Sequence, residues 1–268
     1  MFFFTGSGGR NLLGFLHYPG FQANKRGLIY CHPFAEEKNM SHPIAAKAAR
    51  IFAAAGFSVF RFDLSGCGDS EGDLQSVSLE DWQHDFSAAI DVFRKETGVS
   101  KPFLWGLRLG TGLCLIQQQY AHDIEGIVLW QPVLNFFVHL QQFMRRAISS
   151  SISEEKALDA RPSVDDELQR QGVTHVIGYP ISKRLFNSFN SLNHQPENIV
   201  PIAPVLILTI SLAEQPVFWV RKYAEALKKC GCEVLLQHVI AEPFWDRYWQ
   251  WECREPAYAT LQWMQDLM

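Results

Sequence analysis

The sequence predicts an α/β protein built on a mostly parallel, doubly wound sheet with an inserted helical cap. Short apolar runs alternate with segments of helical spacing up to Val133, and the alternation resumes after Pro201. Between residues 134 and 200 helical and polar segments replace it, so we expect a core of residues 1–133 and 201–268 carrying a cap at 134–200. An apolar strand, a tight turn and a helix follow one another within Lys101 to Cys114, as at the carboxyl end of a strand in a parallel sheet.

The amino-terminal part opens with an expected antiparallel hairpin, because two apolar runs flank a glycine-rich turn. The strands that follow are apolar on both faces, as buried strands of a parallel sheet are. In order, we predict hairpin strands Phe2 to Phe4 and Leu12 to Tyr18, strand Gly27 to Cys31, helix Ser41 to Ala55, strand Phe57 to Leu64, helix Leu79 to Thr97, strand Pro102 to Trp105 and strand Ile124 to Val133.

The rest of the chain divides into the cap and the end of the core. In the cap we predict helix Asn135 to Ser149, a polar run, an apolar segment Val173 to Ile181 and a helical piece near Lys183 to Leu192. In the core we predict strand Val205 to Ile210, helix Val217 to Lys229, strand Glu233 to Ile240 and a terminal helix from about Pro256.

Composition narrows the class of protein. With 268 residues, 47% of them hydrophobic and 19% charged, the chain suits one large domain with an ample core. The net charge of -4 argues against nucleic acid as a partner. No signal peptide or membrane span is indicated, so we expect a cytoplasmic protein. Its six cysteines lack the spacing of a zinc site, and we expect reduced thiols and neither metal nor cofactor.

The turn at the elbow has the pattern Gly-x-x-x-Gly from Gly106 to Gly110, in which a serine nucleophile normally occupies the centre. Here the centre is Arg108. A guanidinium stays protonated and only donates hydrogen bonds, so it cannot attack a carbonyl as serine does.

Three motifs together resemble the α/β-hydrolase superfamily over nearly the whole chain. They are His32-Pro33-Phe34 after the third strand, Asp63-x-x-Gly66-x-Gly68-x-Ser70 after the fourth, and the Gly106 to Gly110 elbow after the fifth. More narrowly, HPFAEEKNMS, DLSGCGDSEGD, WGLRLG and the late EPFW look like the exosortase A system-associated hydrolase 2 family. That resemblance implies an association with bacterial systems that sort PEP-CTERM proteins and make exopolysaccharide.

The resemblance also locates the triad positions. The usual acid corresponds to Glu214, and the usual His-x-Phe setting reads Glu242-Pro243-Phe244, so Glu242 replaces the histidine. Because an unpaired buried arginine is costly, we expect Arg108 to pair with Glu242. The superfamily's oxyanion donors correspond to the amides of Leu109 and Phe34.

Other residues are candidates for the rim of the pocket. His32 is expected to fix the oxyanion loop through hydrogen bonds rather than act as a base. Glu36 and Glu37 either line the pocket or are ordinary surface carboxylates, and Trp245 belongs to an aromatic cluster that forms either a ligand wall or packing.

Three functions remain open from the sequence. The first is a catalytically reduced hydrolase fold that binds an anionic or acyl-type small molecule at Arg108. The second is a hydrolase in which Glu242 or Glu214 activates water while Arg108 stabilises an anion. The third, from the family resemblance alone, is a non-catalytic interaction subunit that docks exosortase-system proteins on its cap.

Overall fold

A computed structural model describes residues 1–20, 25–121, 123–151, 164–191, 195–248 and 252–267, and the side chains of residues 146–151 and 164–166 fall outside that description. The main sheet has eight strands in the order β1-β2-β4-β3-β5-β6-β9-β10. The first two strands are antiparallel to their neighbours, and all other pairs are parallel. These strands are β1 (Phe2–Thr5), β2 (Asn11–His17), β3 (Gly27–Cys31), β4 (Ser58–Phe62), β5 (Phe103–Leu107), β6 (Gly126–Trp130), β9 (Val205–Ser211) and β10 (Val234–Ile240).

Helices cover both faces of the sheet, which confirms the doubly wound prediction. Every residue of β3, β4, β5 and β6 is buried, because these strands have helices above and below them. One core cluster joins the sheet to α2, α3, α4, α6 and α7, and the other joins it to α1 and α8. The core helices are α1 (Glu36–Ala54), α2 (Leu79–Thr97), α3 (Leu109–Gln117), α7 (Phe218–Lys229) and α8 (Glu255–Asp266).

Between β6 and β9 the described residues form three α-helices and a small separate hairpin. The predicted apolar segment from Val173 to Ile181 forms this hairpin. Ile177 and Gly178 make its turn, and both have positive φ, 51° and 82°. An additional helix lies at the end of the predicted polar run. The elements are α4 (Phe136–Ser151), α5 (Val164–Gln171), β7 (Val173–Val176), β8 (Tyr179–Ser182) and α6 (Lys183–Asn190).

Helix α1 begins at Glu36, five residues before the predicted start at Ser41. Its first turn, Glu36 to Met40, carries charged and polar side chains and little of the apolar spacing from which the helix was predicted. The negative charges of Glu36 and Glu37 in this turn interact favourably with the positive end of the helix dipole. The earlier start brings both carboxylates to the carboxyl edge of the sheet.

Within the described ranges, no helix is both long and apolar enough to cross a membrane. The six cysteines are free thiols.

Candidate active-site region at the elbow

Arg108 lies between β5 and α3 with φ 52° and ψ -122°, a backbone conformation that non-glycine residues rarely adopt. Two glycines permit the turn. A Cβ on Gly106 would lie 2.5 Å from the Gly110 carbonyl oxygen, and a Cβ on Gly110 would lie 2.2 Å from the carbonyl oxygen of Cys31. The elbow therefore packs backbone against backbone on the end of β3, as the predicted strand–turn–helix requires.

Hydrogen bonds hold the elbow in this conformation. The Arg108 amide donates to the carbonyl oxygen of Trp130 at 3.0 Å. The hydroxyl of Thr111 donates to the Arg108 carbonyl oxygen at 2.6 Å and accepts from the amide of Val133 at 3.1 Å. None of these contacts uses the side chain of Arg108, so the turn is fixed independently of the residue at its centre.

The carboxylate that pairs with Arg108 is Glu37, and the predicted pair with Glu242 is wrong. Arg108 Nε lies 3.3 and 3.2 Å from the two carboxylate oxygens, and Nη2 lies 3.1 Å from Oε1. The two side chains are only 14% and 9% exposed. This is a buried, forked ion pair between the elbow and the first turn of α1. Glu37 lies close to Arg108 because the chain turns sharply into α1 at Ala35, which has φ 49° and ψ -128°.

Two further groups surround this ion pair. Trp245, buried in the loop after β10, presents its ring 5.4 Å from Arg108 Cζ, within the range of a cation–π contact. His139 of α4 places Nε2 3.8 Å from Glu37 Oε2. Phe244, beside Trp245, is fully buried and packs edge-on against Trp130. Of the described members of the aromatic cluster, Phe244 packs in the core and Trp245 faces Arg108; Trp249 and Trp251 lie outside the described residues.

Glu242 and Glu214 do not join this group. Glu242 pairs with Arg247 at 3.1 Å and its side chain is 37% exposed. Glu214 is exposed in the loop between β9 and α7. A loop after the last strand brings Trp245 inward and turns Glu242 outward, which the order of residues in the loop did not reveal.

The predicted oxyanion donors lie at the same edge. Residues Cys31 and Gly106 are paired across β3 and β5, so Phe34 and Leu109 follow adjacent strand ends. Neither of their amides donates a hydrogen bond to any residue that the structure describes. The Phe34 side chain packs against Phe143 of α4 and Phe189 of α6, which joins this loop to the cap.

The ring of His32 makes two hydrogen bonds that brace the loop after β3. Its Nε2 accepts from the Leu64 amide at 3.2 Å, so the ring proton is on Nδ1, which donates to the Pro33 carbonyl oxygen at 2.7 Å. Burial lowers the pKa of His32 to about 4, and the Lys38 charge acts in the same direction. The ring is therefore neutral near pH 7 and connects the loops after β3 and β4.

Glu36, the neighbour of Glu37, connects three parts of the molecule. It accepts hydrogen bonds from the Tyr179 hydroxyl at 2.7 Å, from the Tyr248 hydroxyl and from the Asn39 amide at 3.4 Å. Burial opposes its ionisation, but the hydrogen bonds from Tyr248, Tyr179 and Asn39 outweigh burial and lower the pKa of Glu36. The carboxylate thus joins α1 to hairpin strand β8 and to the loop after β10.

The space directly over the ion pair is nearly filled. Phe34, Glu37, Arg108 and His139 enclose only about 10 Å³, roughly the minimum for one water molecule. Beside it lies a much larger cavity of about 550 Å³. Apolar side chains line much of this cavity, and polar and charged ones complete it. The apolar ones are Pro132, Val133, Leu134, Val138, Val217, Trp219 and Val220, and the others are Arg108, Gln131, Asn135, His139, Gln142, Glu197, Lys222 and Tyr223.

A protein-family model with the description "Serine aminopeptidase, S33" (Hydrolase_4) matches residues 22–174. No curated protein matches the chain. Among solved structures, Est1E from Butyrivibrio proteoclasticus with ferulic acid bound is 16% identical, with a TM-score of 0.69 over 100% of this chain and 99% of the other. A putative hydrolase from Agrobacterium vitis S4 is 18% identical, with a TM-score of 0.65 over 100% and 97%.

The mouse alpha/beta hydrolase domain-containing protein 10 is 15% identical, with a TM-score of 0.60 over 99% of this chain and 96% of its own. At these identities the likenesses establish the α/β-hydrolase fold and do not by themselves assign a reaction.

Proposed function

Because the chain belongs to the serine aminopeptidase S33 family of α/β hydrolases but holds an ion-paired arginine at its elbow, we propose that it is a catalytically reduced hydrolase fold. In this proposal it binds a small, largely apolar molecule that ends in an anionic or acyl-type group. The observation that carries the proposal is the forked bond from Arg108 to Glu37, at the position from which a serine would attack.

The described residues near the elbow do not provide a substitute nucleophile. Cys114 is fully buried in α3, and burial raises the pKa of its thiol well above the usual value. Of the carboxylates expected to activate water, Glu242 is half-buried and paired with Arg247, and Glu214 is exposed. The geometry therefore favours binding over the water-activated hydrolysis that the sequence left open.

The chemistry of the ligand follows from the cavity beside Arg108. Its volume of about 550 Å³ lies within the range of small-molecule sites, and its walls are mainly apolar. Glu37 occupies Nε and Nη2 of Arg108, whereas Nη1 donates no hydrogen bond to the described residues. A carboxylate at the elbow end of the cavity would accept from Nη1, with its carbon chain against Val133, Val220 and Trp219.

The rim of this cavity supports an apolar ligand. Val138 is 45% exposed, Val217 is 44% exposed and Trp219 is 71% exposed. Exposed large apolar side chains grouped at a cavity mouth are typical of ligand-binding surfaces. A bound carbon chain would remove part of this surface from water.

Octanoate, with 1-octanol as its neutral analogue of equal chain length, tests the proposal by calorimetry. The informative variant is Arg108→Met combined with Glu37→Met, because removing both charges leaves neither partner buried alone. We expect the variant to bind octanoate about tenfold or more weakly, since a hydrogen bond to a charged group is lost, and to bind octanol unchanged. Glu36→Gln is the matched control, and we expect it to leave both affinities unchanged.

The proposal fails if the native protein binds neither probe, or if the double variant weakens both equally. A fluorophosphonate reagent should not label the native protein, and labelling of a serine would restore the covalent route. Turnover of an octanoate ester that is abolished by Glu37→Gln would instead favour water-activated hydrolysis.

The narrower motif resemblance supports a place for this binding function in the exosortase and PEP-CTERM system, with proteins of that system as partners. Deleting the gene should then alter sorting of PEP-CTERM proteins or production of exopolysaccharide. Normal sorting and polysaccharide in the deletion strain would remove this part of the proposal without touching the binding function.

A further inference from the structure

A second cavity, of about 330 Å³, lies between β2, β3, β4 and the first half of α1. It shares no lining residue with the cavity beside Arg108. Its walls carry an unusual number of charged and titratable side chains, among them His32, Lys38, His42, Arg61 and Asp63. None of these charges takes part in the function proposed above.

The central group of this cavity is Arg61, a residue of β4 that is only 9% exposed. Within the described residues its guanidinium makes no salt bridge, and its Nε donates to His17 Nε2 at 3.1 Å. Burial, assisted by the Arg61 charge, lowers the pKa of His17 to about 4, so this partner is uncharged near neutral pH. Neither Nη1 nor Nη2 of Arg61 donates a hydrogen bond to a described residue.

The nearest candidate counter-ion is already engaged. Asp63 forms a salt bridge with Lys38 at 3.0 Å and accepts from the amide of Asp69 at 3.1 Å. A buried guanidinium without a carboxylate partner is strongly unfavourable, because the loss of hydration is not offset by a paired charge. The cavity onto which Arg61 opens is therefore the place where a compensating anion would be held.

The charges around the cavity would be balanced by a ligand that carries a single negative charge. Lys38 and Asp63 neutralise one another, and Asp69 is exposed at the mouth. The remaining buried charge is that of Arg61, whose Cζ lies 5.5 Å from the ring centroid of Phe15. At this distance the Phe15 ring makes a cation–π contact and places an apolar surface beside the guanidinium.

We propose that this second cavity binds a small monocarboxylate, with the carboxylate accepting from Nη1 and Nη2 of Arg61 and the carbon stem against Phe15. A planar carboxylate matches the two parallel N–H donors of a guanidinium. A phosphate dianion fits less well, because Asp63 and Asp69 would repel its second charge. This site is separate from the elbow and does not depend on the function proposed for it.

Calorimetry with acetate, benzoate and inorganic phosphate tests the site. We expect the native protein to bind benzoate more tightly than phosphate, and Arg61→Met to weaken benzoate by about 30-fold or more. Arg50→Gln is the matched control, because Arg50 is an exposed cation in the same region, and it should change the affinity less than about twofold. Tighter binding of phosphate, or equal effects of the two variants, would overturn the proposal.

An NMR titration of the His42 ring tests the site in the native protein, whether or not Arg61→Met folds. Burial lowers the pKa of His42, and the charges of Arg61, Lys38 and Arg50 add to the effect while Asp63 opposes it. Benzoate bound to Arg61 should raise this pKa, and should do so equally in the Arg108→Met, Glu37→Met variant. An unchanged His42 titration at saturating benzoate, or absence of carboxylate binding at millimolar concentration, refutes the site.

Discussion

Replacing Glu37 with glutamine removes the negative charge from the buried pair at the elbow and leaves the Arg108 guanidinium with a neutral partner. The side chains are 14% and 9% exposed, so solvent screens the remaining charge only slightly. Breaking a buried pair costs about 3 to 5 kcal/mol, and glutamine retains one acceptor, so we expect a loss of about 3 kcal/mol. For a domain of this size that loss corresponds to a fall in Tm of roughly 6 to 12 °C.

Urea unfolding of a matched set of variants measures this effect. Glu36→Gln is the control, since Glu36 lies in the same helical turn but accepts mainly from neutral hydroxyls, and we expect it to lose no more than about 1 kcal/mol. Arg108→Met with Glu37→Met removes both charges and should be within about 1 kcal/mol of the native protein. The reasoning is refuted if Glu37→Gln is as stable as Glu36→Gln, or if the double variant loses as much as the sum of its single changes.

Two further predictions concern the loops that carry the site. Burial holds the pKa of His32 and His17 at about 4, below the ordinary 6.5. Between pH 4 and 6.5 the unfolded chain therefore binds more protons than the folded one. The free energy of unfolding should fall by about 2 kcal/mol or more as the pH drops from 6.5 to 4. Urea titrations at several pH values check this, and a flat profile over that window would contradict it. Gly110→Ala should lose about 3 kcal/mol or fail to fold, because its Cβ would lie 2.2 Å from the Cys31 carbonyl oxygen. Gly20→Ala, whose Cβ would meet no described atom within 4 Å beyond its chain neighbours, should stay near native stability by thermal unfolding. Equal stability of the two glycine variants would show that the elbow is not packed as described.

Signals in neighbouring residues explain why the first and last residues of some helices could be predicted from the sequence. Helix α2 runs from Leu79 to Thr97, the same residues as predicted from its apolar face. Ser78 and Asp81 form a capping box at its start, and Gly98 ends it with φ 71°. Such signals are written in adjacent residues, so they can be identified without knowledge of the tertiary structure.

The partner of Arg108 could not be found in the same way. Glu37 is 71 residues away in sequence, and its position depends on the start of α1, which apolar periodicity placed five residues too late. His139 lies in a helix that was predicted, but no feature of its sequence indicated that it would approach Glu37. We expected Glu242 as the partner because it corresponds to a triad position of other hydrolases. The loop after β10 instead pairs Glu242 with Arg247.

The elbow separates the structural requirements of this fold from its chemistry. Gly106 and Gly110 allow the close backbone approach, and Thr111 fixes the carbonyl of Arg108, so the turn places no demand on the central side chain. A cation can therefore replace a nucleophile there if a carboxylate compensates it, and Glu37 in the first turn of α1 does so. That pair nearly fills the space over the elbow, and among the described residues the adjoining cavity of about 550 Å³ is the larger space that reaches Arg108. Under the proposed function, Arg108 and its pair with Glu37 thus also determine which surface beside the elbow faces a ligand.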